Sequence, residues 1–309
     1  MKTLHSSDHL EVTIEWLGEQ ALLPGRRYDL KLGDQQVSAS VSRLKYRLDG
    51  HNGQSAARTL SAGESAVCNL ALSSPIKFQA FELNSSHGSF TLHHSDTGKL
   101  LGRGTIFHGL HRASNLHWQF LEVDKQARAR LKRQKPCVLW FSGFSGSGKS
   151  TIANIVEKKL NQAGKHSYIL DGDNIRHGLN RDLGFTDADR IENIRRVAET
   201  AKLLVDAGLI VISSFISPFK AERSMARSLF DDNEFIEVFI DSSLEQCERH
   251  DPKGLYAKAR RGELKNFTGI DSVYEAPAHA EIHIQTKNQS AEQAADAILA
   301  YLKLELSQA

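Results

Sequence analysis

Gly143-Phe-Ser-Gly-Ser-Gly-Lys-Ser150 is the stretch that decides the fold of this chain. It matches every position of the phosphate-loop pattern Gly-x-x-x-x-Gly-Lys-Ser/Thr. The apolar run Cys137–Phe141 before it is typical of a buried strand, and a helix is expected after it from Lys149 to Ala163. This order of strand, loop and helix predicts an α/β domain with a parallel sheet.

The chemistry of the loop predicts a bound nucleoside triphosphate. Glycines allow backbone N–H groups to turn inward around phosphates, and the helix N-terminus adds the positive end of its dipole. Lys149 supplies a mobile positive charge to the β- and γ-phosphates, and the Ser150 hydroxyl is a ligand for Mg²⁺. A purely structural glycine-rich turn would explain neither the Lys149-Ser150 pair nor its place between a strand and a helix.

Other motifs separate the classes of protein that carry such a loop. A GTPase should also contain Asn-Lys-x-Asp for guanine, and the chain has no such tetrapeptide. A motor ATPase would need more length and further nucleotide motifs. A single α/β domain favours a small-molecule kinase, whose second substrate would lie opposite the loop at the carboxyl ends of the strands.

The rest of this half alternates strands and helices. Apolar runs that predict buried strands occupy Ser167–Leu170, Leu209–Ile216 and Glu234–Ile240. A long helix is expected at Asp187–Ala207, with Thr186 as its N-cap, and a capping box at Ser290–Gln293 predicts a C-terminal helix.

Polar residues after the strand Ser167–Leu170 indicate an anionic second substrate. Asp171 and Asp173 could hold Mg²⁺ through water and accept a proton from an attacking hydroxyl, or they could belong to an Asp-Gly turn that caps a helix. Basic and amide side chains that would suit a dianion follow within 21 residues: Arg176, Arg190, Asn193, Arg195 and Arg196. Phe185 lies outside any apolar period and could stack on a base.

Six blocks of this half, in order and spacing, resemble adenylylsulfate (APS) kinase over essentially all of residues 136–286. They are Gly143–Ser150, Asp171–Phe185, Asp189–Arg196, Phe215–Pro218, Asp251–Tyr256 and Lys265–Asp271. This family transfers the γ-phosphate of ATP to the 3′-hydroxyl of APS, which gives 3′-phosphoadenylylsulfate (PAPS). Phe144, His250 and Arg261 stand where leucine, arginine and alanine are expected, and none of them replaces a catalytic group.

The resemblance implies a site for each substrate, with Mg²⁺ as cofactor. The ATP-binding residues are then Gly143, Phe144, Ser145, Gly146, Ser147, Gly148, Lys149, Ser150 and Thr151. The APS-binding residues are then Asp173, Arg176, Phe185, Arg190, Asn193, Ile216, Ser217, Lys253 and Phe267, with Phe185 and Phe267 sandwiching the adenine. The catalytic residues are Lys149, Asp171, Asp173 and Ser217. Our hypothesis is that Asp171 and Ser150 serve Mg²⁺ while Asp173 serves the 3′-hydroxyl.

Two further features have more than one interpretation. Ser217 is either an N-cap, with Pro218 at the first helical position, or the serine that forms a phosphoenzyme in bacterial members of the family. We favour the cap, because direct transfer needs no covalent serine. Residues Asp251–Asp271 are basic with few apolar anchors, which predicts a mobile lid over ATP.

The first 123 residues predict a different architecture. Leu10, Val12, Ile14 and Trp16 alternate along one face of a strand, Val37–Val41 and Phe90–His94 repeat the pattern, and no helical face is present. We expect an antiparallel barrel or sandwich of six or more strands.

Residues 9–123 resemble the C-terminal β-barrel of the GTPase subunit of sulfate adenylyltransferase, an elongation-factor domain III-like module. The matching stretches are Trp16–Glu19, Leu23–Tyr28, Leu44–Arg47, Val67–Leu70, Pro75-Ile76 and Asn115–Trp118. The GTP-binding part is absent, so this chain should not drive APS synthesis. The barrel would either dock sulfate adenylyltransferase subunits or remain only to stabilise the kinase.

Composition limits the remaining possibilities. A formal net charge of +2 gives no sign of nucleic-acid binding, and no apolar run is long enough to cross a membrane. Cys68, Cys137 and Cys247 are too widely spaced for a disulfide framework or a zinc site, which indicates reduced thiols in a cytoplasmic protein. His93-His94 lacks carboxylate or cysteine partners at ligand spacing, so surface histidines are favoured over a metal site.

The sequence therefore predicts a multidomain protein: a β-barrel at 1–123, a basic linker at 124–136 and an α/β P-loop kinase domain at 137–309. Residues 124–140 carry six basic groups and one acidic group, and they are either a solvated connector or a patch that steers anions. We expect a homodimer. The main alternative for the whole protein is a non-catalytic adaptor that senses APS.

Overall fold

The computed structural model describes residues 4–49, 53–110 and 121–307. The chain divides into two compact units, Met1–Gln119 and Phe120–Ala309. Each unit has its own hydrophobic core, so we describe each by itself.

Unit 1 is a barrel of antiparallel strands. Its described elements are β1 (His5–Trp16), β2 (Arg27–Leu32), β3 (Gln35–Asp49), β4 (Gly53–Ser55), β5 (Ser65–Phe78), α1 (Ser85–Gly88), β6 (Ser89–His93) and β7 (Leu100–Gly109). The strands pair in the order β2-β6-β7-β1-β5-β3, and β3 pairs back onto β2, which closes a six-stranded ring; β4 extends β3 as a hairpin. The predicted all-β barrel is confirmed.

The alternation predicted for β1 is what fills this barrel. Leu10, Val12, Ile14 and Trp16 are all buried in one core cluster, while the residues between them are half-buried. Trp16 satisfies its indole N–H by donating to the carbonyl oxygen of Gln20 at 2.7 Å, as a buried polar group must.

Unit 2 alternates strands with helices. Its described elements are α2 (Lys125–Lys132), β8 (Cys137–Ser142), α3 (Lys149–Gln162), β9 (Ser167–Asp171), α4 (Gly172–His177), α5 (Asp187–Asp206), β10 (Ile210–Ser214), α6 (Lys220–Arg227), β11 (Phe235–Asp241), α7 (Leu244–His250), α8 (Leu255–Arg260), β12 (Ile282–Gln285) and α9 (Ala291–Ser307). The predicted Thr186 N-cap of α5 and the predicted capping box of α9 are both formed, and at α5 the Asp189 side chain completes a capping box as well.

The five strands of unit 2 form a parallel sheet in the order β12-β11-β8-β10-β9. Leu139 and Phe141 of β8 pack towards α3 and α9, whereas Val138 and Trp140 pack on the other face towards α5 and α6. Since both faces are covered, the central strands are buried at every position, which is why they are continuous apolar runs in the sequence.

The topology of the sheet places the site. The chain leaves β8 for β9, returns to β10 between them, and then crosses to β11 on the other side of β8. Loops from neighbouring parallel strands therefore diverge at the carboxyl edge beside β8, and the crevice between them is where open α/β sheets bind ligands.

Residues 124–136, which the sequence predicts to be a linker, fold as part of unit 2. Asp124 caps α2 by accepting from the N–H of Ala127 at 2.7 Å. The Arg128 guanidinium contacts the Asp206 carboxylate at 2.5 Å, and Lys125 contacts Asp231 at the same distance. Acidic groups of unit 2 thus neutralise part of the basic charge of this segment.

No helix in the described parts of the chain combines the length and the apolar character that crossing a bilayer requires.

Candidate active site

The phosphate loop joins β8 to α3 at the carboxyl edge of the sheet. Gly143 has φ of 142°, and a Cβ atom there would lie 2.5 Å from the carbonyl oxygen of Ile240, so only glycine fits this close approach. Its N–H donates to the Ile216 carbonyl at 3.3 Å, which holds the loop against the segment that follows β10.

Lys149 turns back into its own loop. The residue is only 7% exposed, and Nζ donates to the carbonyl oxygens of Gly143 (2.9 Å) and Phe144 (2.5 Å) and to Ser147 Oγ (3.3 Å). Burial lowers the pKa of Lys149 to about 8. The ammonium group is therefore held by three oxygen atoms at the place where the motif predicts phosphate oxygens.

Ser150 and Asp171 lie together beside this lysine. The Ser150 hydroxyl donates to Asp171 Oδ2 at 2.8 Å and lies 3.3 Å from Ser214 Oγ. Asp171 Oδ1 accepts from the N–H of Asp173 at 3.0 Å and so caps α4. One carboxylate oxygen thus forms the predicted cap, and the other meets the loop. A hydroxyl and a carboxylate oxygen this close together fit a Mg²⁺ ion, which prefers hard oxygen ligands.

Asp173 projects from the first turn of α4 and forms an ion pair with Lys253, which follows α7. Both side chains are exposed. The structure therefore brings together the carboxylate and the lysine that the sequence predicts on the APS side.

Phe185 presents an aromatic ring to solvent, with 60% of the residue exposed. The guanidinium of Arg176 lies over this ring, 4.5 Å from its centre, and donates to the carbonyl oxygens of Leu183 and Gly184. Burial lowers the pKa of Arg176. A ring with one face against a cation is positioned to stack a base on its other face.

Arg190 forms hydrogen bonds to both segments that carry the predicted adenine-binding rings, Phe185 and Phe267. Its guanidinium donates to the carbonyl oxygen of Phe185 at 3.2 Å, to that of Asn266 at 2.5 Å, and to Thr268 Oγ1 at 2.9 Å. Because Asn266 and Thr268 flank Phe267, these bonds hold Phe185 and Phe267 on neighbouring pieces of chain.

The other members of the predicted anion cluster have internal partners. Asn193 is buried, and its Oδ1 accepts from Asn180 Nδ2 at 2.9 Å. Arg195 pairs with Glu192 at 2.7 Å, and Arg196 pairs with Asp182 at 2.7 Å as well as with Glu192. Arg195 and Arg196 therefore stabilise α5 and the loop before it rather than completing an anion site.

The N-cap interpretation of Ser217 is wrong. The helix after β10 begins at Lys220 with Phe219 in the cap position, and Ser217 lies outside it with φ of 44°. Ser217 is 1% exposed, and its hydroxyl oxygen accepts from the indole N–H of Trp140 at 3.1 Å. The sequence around Ser217 gives no sign of this left-handed backbone conformation. The conformation is held by Arg223, which donates to the Ser217 carbonyl at 2.7 Å and lies outside the block Phe215–Pro218.

The segment Asp251–Asp271 has more anchors than its composition suggests. Tyr256 and Ala259 of α8 are buried, and so is Thr268. The Tyr256 hydroxyl donates to the carbonyl oxygen of Ser145 at 2.8 Å, which attaches the segment directly to the phosphate loop. Tyr256 belongs to the block Asp251–Tyr256 that resembles the family, but the sequence predicted no role for it.

The remaining sequence predictions concern unit 1 and the thiols. His93 contacts Thr91 Oγ1 and the Gly98 carbonyl, and His94 accepts from the N–H of Asp96, so these rings belong to a local turn. Among the described residues, no three acidic, cysteine or histidine side chains form a cluster that could bind a metal. All three cysteines are buried free thiols. The matched stretch Asn115–Trp118 lies outside the described residues.

Two family models match the chain, one for each unit. The adenylylsulphate kinase model matches residues 135–285, and the GTP-eEF1A C-terminal domain-like model matches residues 9–107.

Individual proteins give the same division. The bifunctional enzyme NodQ of Rhizobium sp. (strain N33) is 57% identical over 94% of this chain, which spans 45% of that protein's length. The adenylyl-sulfate kinase of Marinobacter nauticus is 57% identical over 62% of this chain and 96% of its own length. The structure of Mycobacterium tuberculosis APS kinase CysC in complex with AMPPNP and APS superposes with a TM-score of 0.53 and 48% identity, covering 55% of this chain and 99% of that one.

The chain thus spans less than half the length of the first curated relatives it matches. The M. nauticus relative, by contrast, is matched over 96% of its own length. The chain belongs to the adenylylsulphate kinase family, and its kinase unit follows a barrel of the elongation-factor C-terminal type.

Proposed function

We propose that unit 2 transfers the γ-phosphate of ATP to the 3′-hydroxyl of APS and so makes PAPS. The observation that carries this proposal is that the Lys149 loop and the Asp171/Asp173 pair both follow the carboxyl ends of strands and meet through Ser150, while Arg190 and Tyr256 connect the aromatic segments to that loop. The structure of the M. tuberculosis relative in complex with AMPPNP and APS supports the assignment of these two kinds of ligand to unit 2.

The ATP half of the proposal rests on the loop residues Gly143 to Thr151. Their N–H groups would surround the phosphates at the start of α3, where the helix dipole favours negative charge. Lys149 would exchange the carbonyl oxygens of Gly143 and Phe144 for phosphate oxygens. Because those carbonyls already hold Nζ in place, the lysine needs no long movement to reach the phosphates.

Ser150 and Asp171 are the residues that would hold Mg²⁺, since their oxygen atoms already lie 2.8 Å apart. When bound, the ion neutralises charge on the β- and γ-phosphates.

Asp173 would accept the proton of the 3′-hydroxyl as this oxygen attacks the γ-phosphate. Its carboxylate is exposed and contacts Lys253, and a carboxylate within hydrogen-bond reach of the hydroxyl can act as the general base. The ion pair between Lys253 and Asp173 must then loosen, and the negatively charged APS offers the lysine another anion to contact.

The APS half of the proposal uses Arg176, Arg190, Asn193, Lys253, Ile216 and Ser217 for the phosphosulfate and ribose, and Phe185 with Phe267 for the adenine. Arg176 already lies over the Phe185 ring. Arg190 holds the backbone on both sides of the adenine position, so its contribution is to fix the two rings as much as to meet the anion.

Direct in-line transfer is favoured over a phosphoserine intermediate at Ser217. The Ser217 hydroxyl is buried and accepts the Trp140 N–H, so phosphorylation would require a dianion to enter this pocket.

The test is an assay of the full chain with ATP, Mg²⁺ and APS that follows PAPS formation. Lys149→Ala is the control, because it removes the phosphate-binding charge and should abolish turnover. Tight APS binding without turnover in the unaltered protein would instead support the adaptor.

For the barrel of unit 1, a docking role and a stabilising role make opposite predictions. A docking module should retain sulfate adenylyltransferase subunits in a pull-down that fails with a protein starting at residue 120. A stabilising remnant should retain none in either case. The homodimer expected for the kinase is tested separately by the mass of the protein in solution.

A further inference from the structure

Tyr256 lies between the two halves of the proposed site. Its hydroxyl donates to the carbonyl oxygen of Ser145 in the phosphate loop at 2.8 Å. Its ring meets the Phe267 ring edge-on, with centres 4.9 Å apart. The ring also lies beside Gly146, since a Cβ atom on that glycine would be 3.9 Å from Tyr256 Cε2. One side chain therefore touches both the ATP loop and a predicted adenine platform.

The burial of Tyr256 makes this arrangement specific. The residue is 2% exposed, and burial raises the pKa of its phenol, so the hydroxyl stays protonated and acts as a donor. Ser145 offers a carbonyl oxygen, which can only accept. The hydroxyl also meets Cys247, whose sulfur is only a weak acceptor. Because loss of the Ser145 carbonyl would leave the buried phenol poorly satisfied, the ring and this carbonyl are expected to move together.

The Ser145 carbonyl is placed to respond to nucleotide. Its neighbours Gly143 and Phe144 use their carbonyls to hold Lys149. Phosphates would draw Lys149 away from these oxygens and turn the loop N–H groups inward, which reorients the peptide units on both sides of Ser145. Tyr256 would carry this change to Phe267, and Arg190 links the chain beside Phe267 to Phe185.

We propose that Tyr256 is a positioning residue that couples occupancy of the phosphate loop to the affinity for APS, by fixing Phe267 when nucleotide is bound. The inference rests on the proposed function, since it takes ATP and APS as the two ligands. The phenol hydroxyl, rather than the ring, is the group that transmits the coupling.

The test measures the dissociation constant of APS with and without the non-hydrolysable analogue AMPPNP. In the unaltered protein AMPPNP should tighten APS binding by about fivefold or more, the usual lower range for coupled sites. In Tyr256→Phe, which keeps the ring and removes the hydroxyl, the ratio should fall to nearly one. Tyr301→Phe on α9 removes a phenol hydroxyl from the same unit and should leave the ratio unchanged.

A structural role alone would weaken APS binding equally with and without AMPPNP, so an unchanged ratio in Tyr256→Phe overturns the proposal. A ratio near one in the unaltered protein overturns it as well.

Hydrogen exchange gives a second readout that needs no APS. AMPPNP should slow exchange of the Phe267–Ile270 amides in the unaltered protein and not in Tyr256→Phe, and equal protection in both overturns the proposal. If the unaltered protein binds no APS at all, the proposed function fails, while this exchange measurement still decides whether Tyr256 connects the loop to the platform.

Discussion

Lys149 shows how a single side chain prepares the loop for phosphate. Its ammonium is buried and held by carbonyl and hydroxyl oxygens, and burial lowers its pKa to about 8. The motif predicted the identity and general place of this lysine, because the pattern demands it at the start of the helix. The sequence could not show its inward conformation, which depends on atoms of the folded loop.

Nucleotide binding should therefore depend on pH above about 8. Below this pH Lys149 is already protonated, so the affinity for ATP is flat. Above this pH, Lys149 of the free protein has lost its proton, whereas bound phosphates stabilise the protonated form. Binding must therefore take up a proton, and the affinity falls as the pH rises. Calorimetry at a pH about one unit higher, in two buffers of different ionisation enthalpy, should show this proton uptake. Lys149→Arg, which stays charged, should show none; zero uptake in the unaltered protein contradicts the assigned pKa shift.

Asp173→Asn should lower kcat by about 10²- to 10⁴-fold, the usual contribution of a general base. The amide keeps the shape of the side chain but cannot accept the proton of the 3′-hydroxyl. Steady-state PAPS formation measures the effect, and Asp187→Asn in the first turn of α5 is the matched control. Near-normal turnover would remove Asp173 as the base.

Ser217→Ala should keep most of the phosphotransfer activity if transfer is direct. The substitution removes the acceptor of the Trp140 N–H, so a modest loss of stability is expected, of about 1–3 kcal/mol for an unsatisfied buried donor. Rapid-quench measurement of PAPS formed by the folded variant separates a loss of phosphotransfer from a loss of stability. Complete loss of transfer in a folded variant would favour the phosphoserine.

At the scale of elements, hydrophobic periodicity predicted the strands in which burial of one face or of both faces of the sheet sets the pattern of apolar residues. β1 alternates because one face is buried, and β10 is uniformly apolar because both are. The sequence showed only Val37–Val41 of β3, which in fact spans Gln35–Asp49, because shifts in register at Val41/Arg43 and Leu44/Tyr46 interrupt the alternation. The start of α6 was also missed, since it depends on tertiary contacts around Ser217.

The buried ion pair of Arg223 and Glu237 should control the stability of unit 2. The two groups lie 2.8 Å apart, and Arg223 also donates to the carbonyls of Ser217 and Glu275. Arg223→Met should lower the free energy of unfolding by up to about 3–5 kcal/mol, because it removes the nearer cation of a buried carboxylate and leaves it only Arg227, 3.6 Å away. Glu237→Gln in the same protein should recover part of this loss.

Urea unfolding followed by far-UV circular dichroism measures this change, since most described helices belong to unit 2. Arg260→Met is the control, because the Arg260–Glu248 pair is largely exposed on the arginine side and should contribute at most about 1 kcal/mol. Equal changes in the free energy of unfolding for Arg223→Met and Arg260→Met would contradict the larger contribution assigned to the buried pair.

At the scale of the whole molecule, the sequence placed the change of architecture close to the structural division at Gln119/Phe120. Composition suggested a solvated basic connector with helix propensity; the structure shows the helix, and it pairs two of its basic groups with Asp206 and Asp231. Such pairing depends on residues 78 and 106 positions away along the chain, which is why a local count of charge could not reveal it.

A protein that contains only residues 120–309 should fold and retain the kcat of the full chain. Unit 2 has its own core and parallel sheet, and it contains the whole stretch that the adenylylsulphate kinase model matches, residues 135–285. Steady-state PAPS formation by both proteins is the comparison. A folded but inactive unit 2 would mean that the barrel contributes to catalysis.

The most direct measurement follows the γ-phosphate itself. The full chain is incubated with ATP labelled in that phosphate, Mg²⁺ and APS, and the labelled products are separated. We expect the label to move to the 3′-position of adenylylsulfate in the unaltered protein and to stay in ATP with Lys149→Ala. Label that stays in ATP, or passes only to inorganic phosphate, while the unaltered protein binds APS would contradict the proposed transfer.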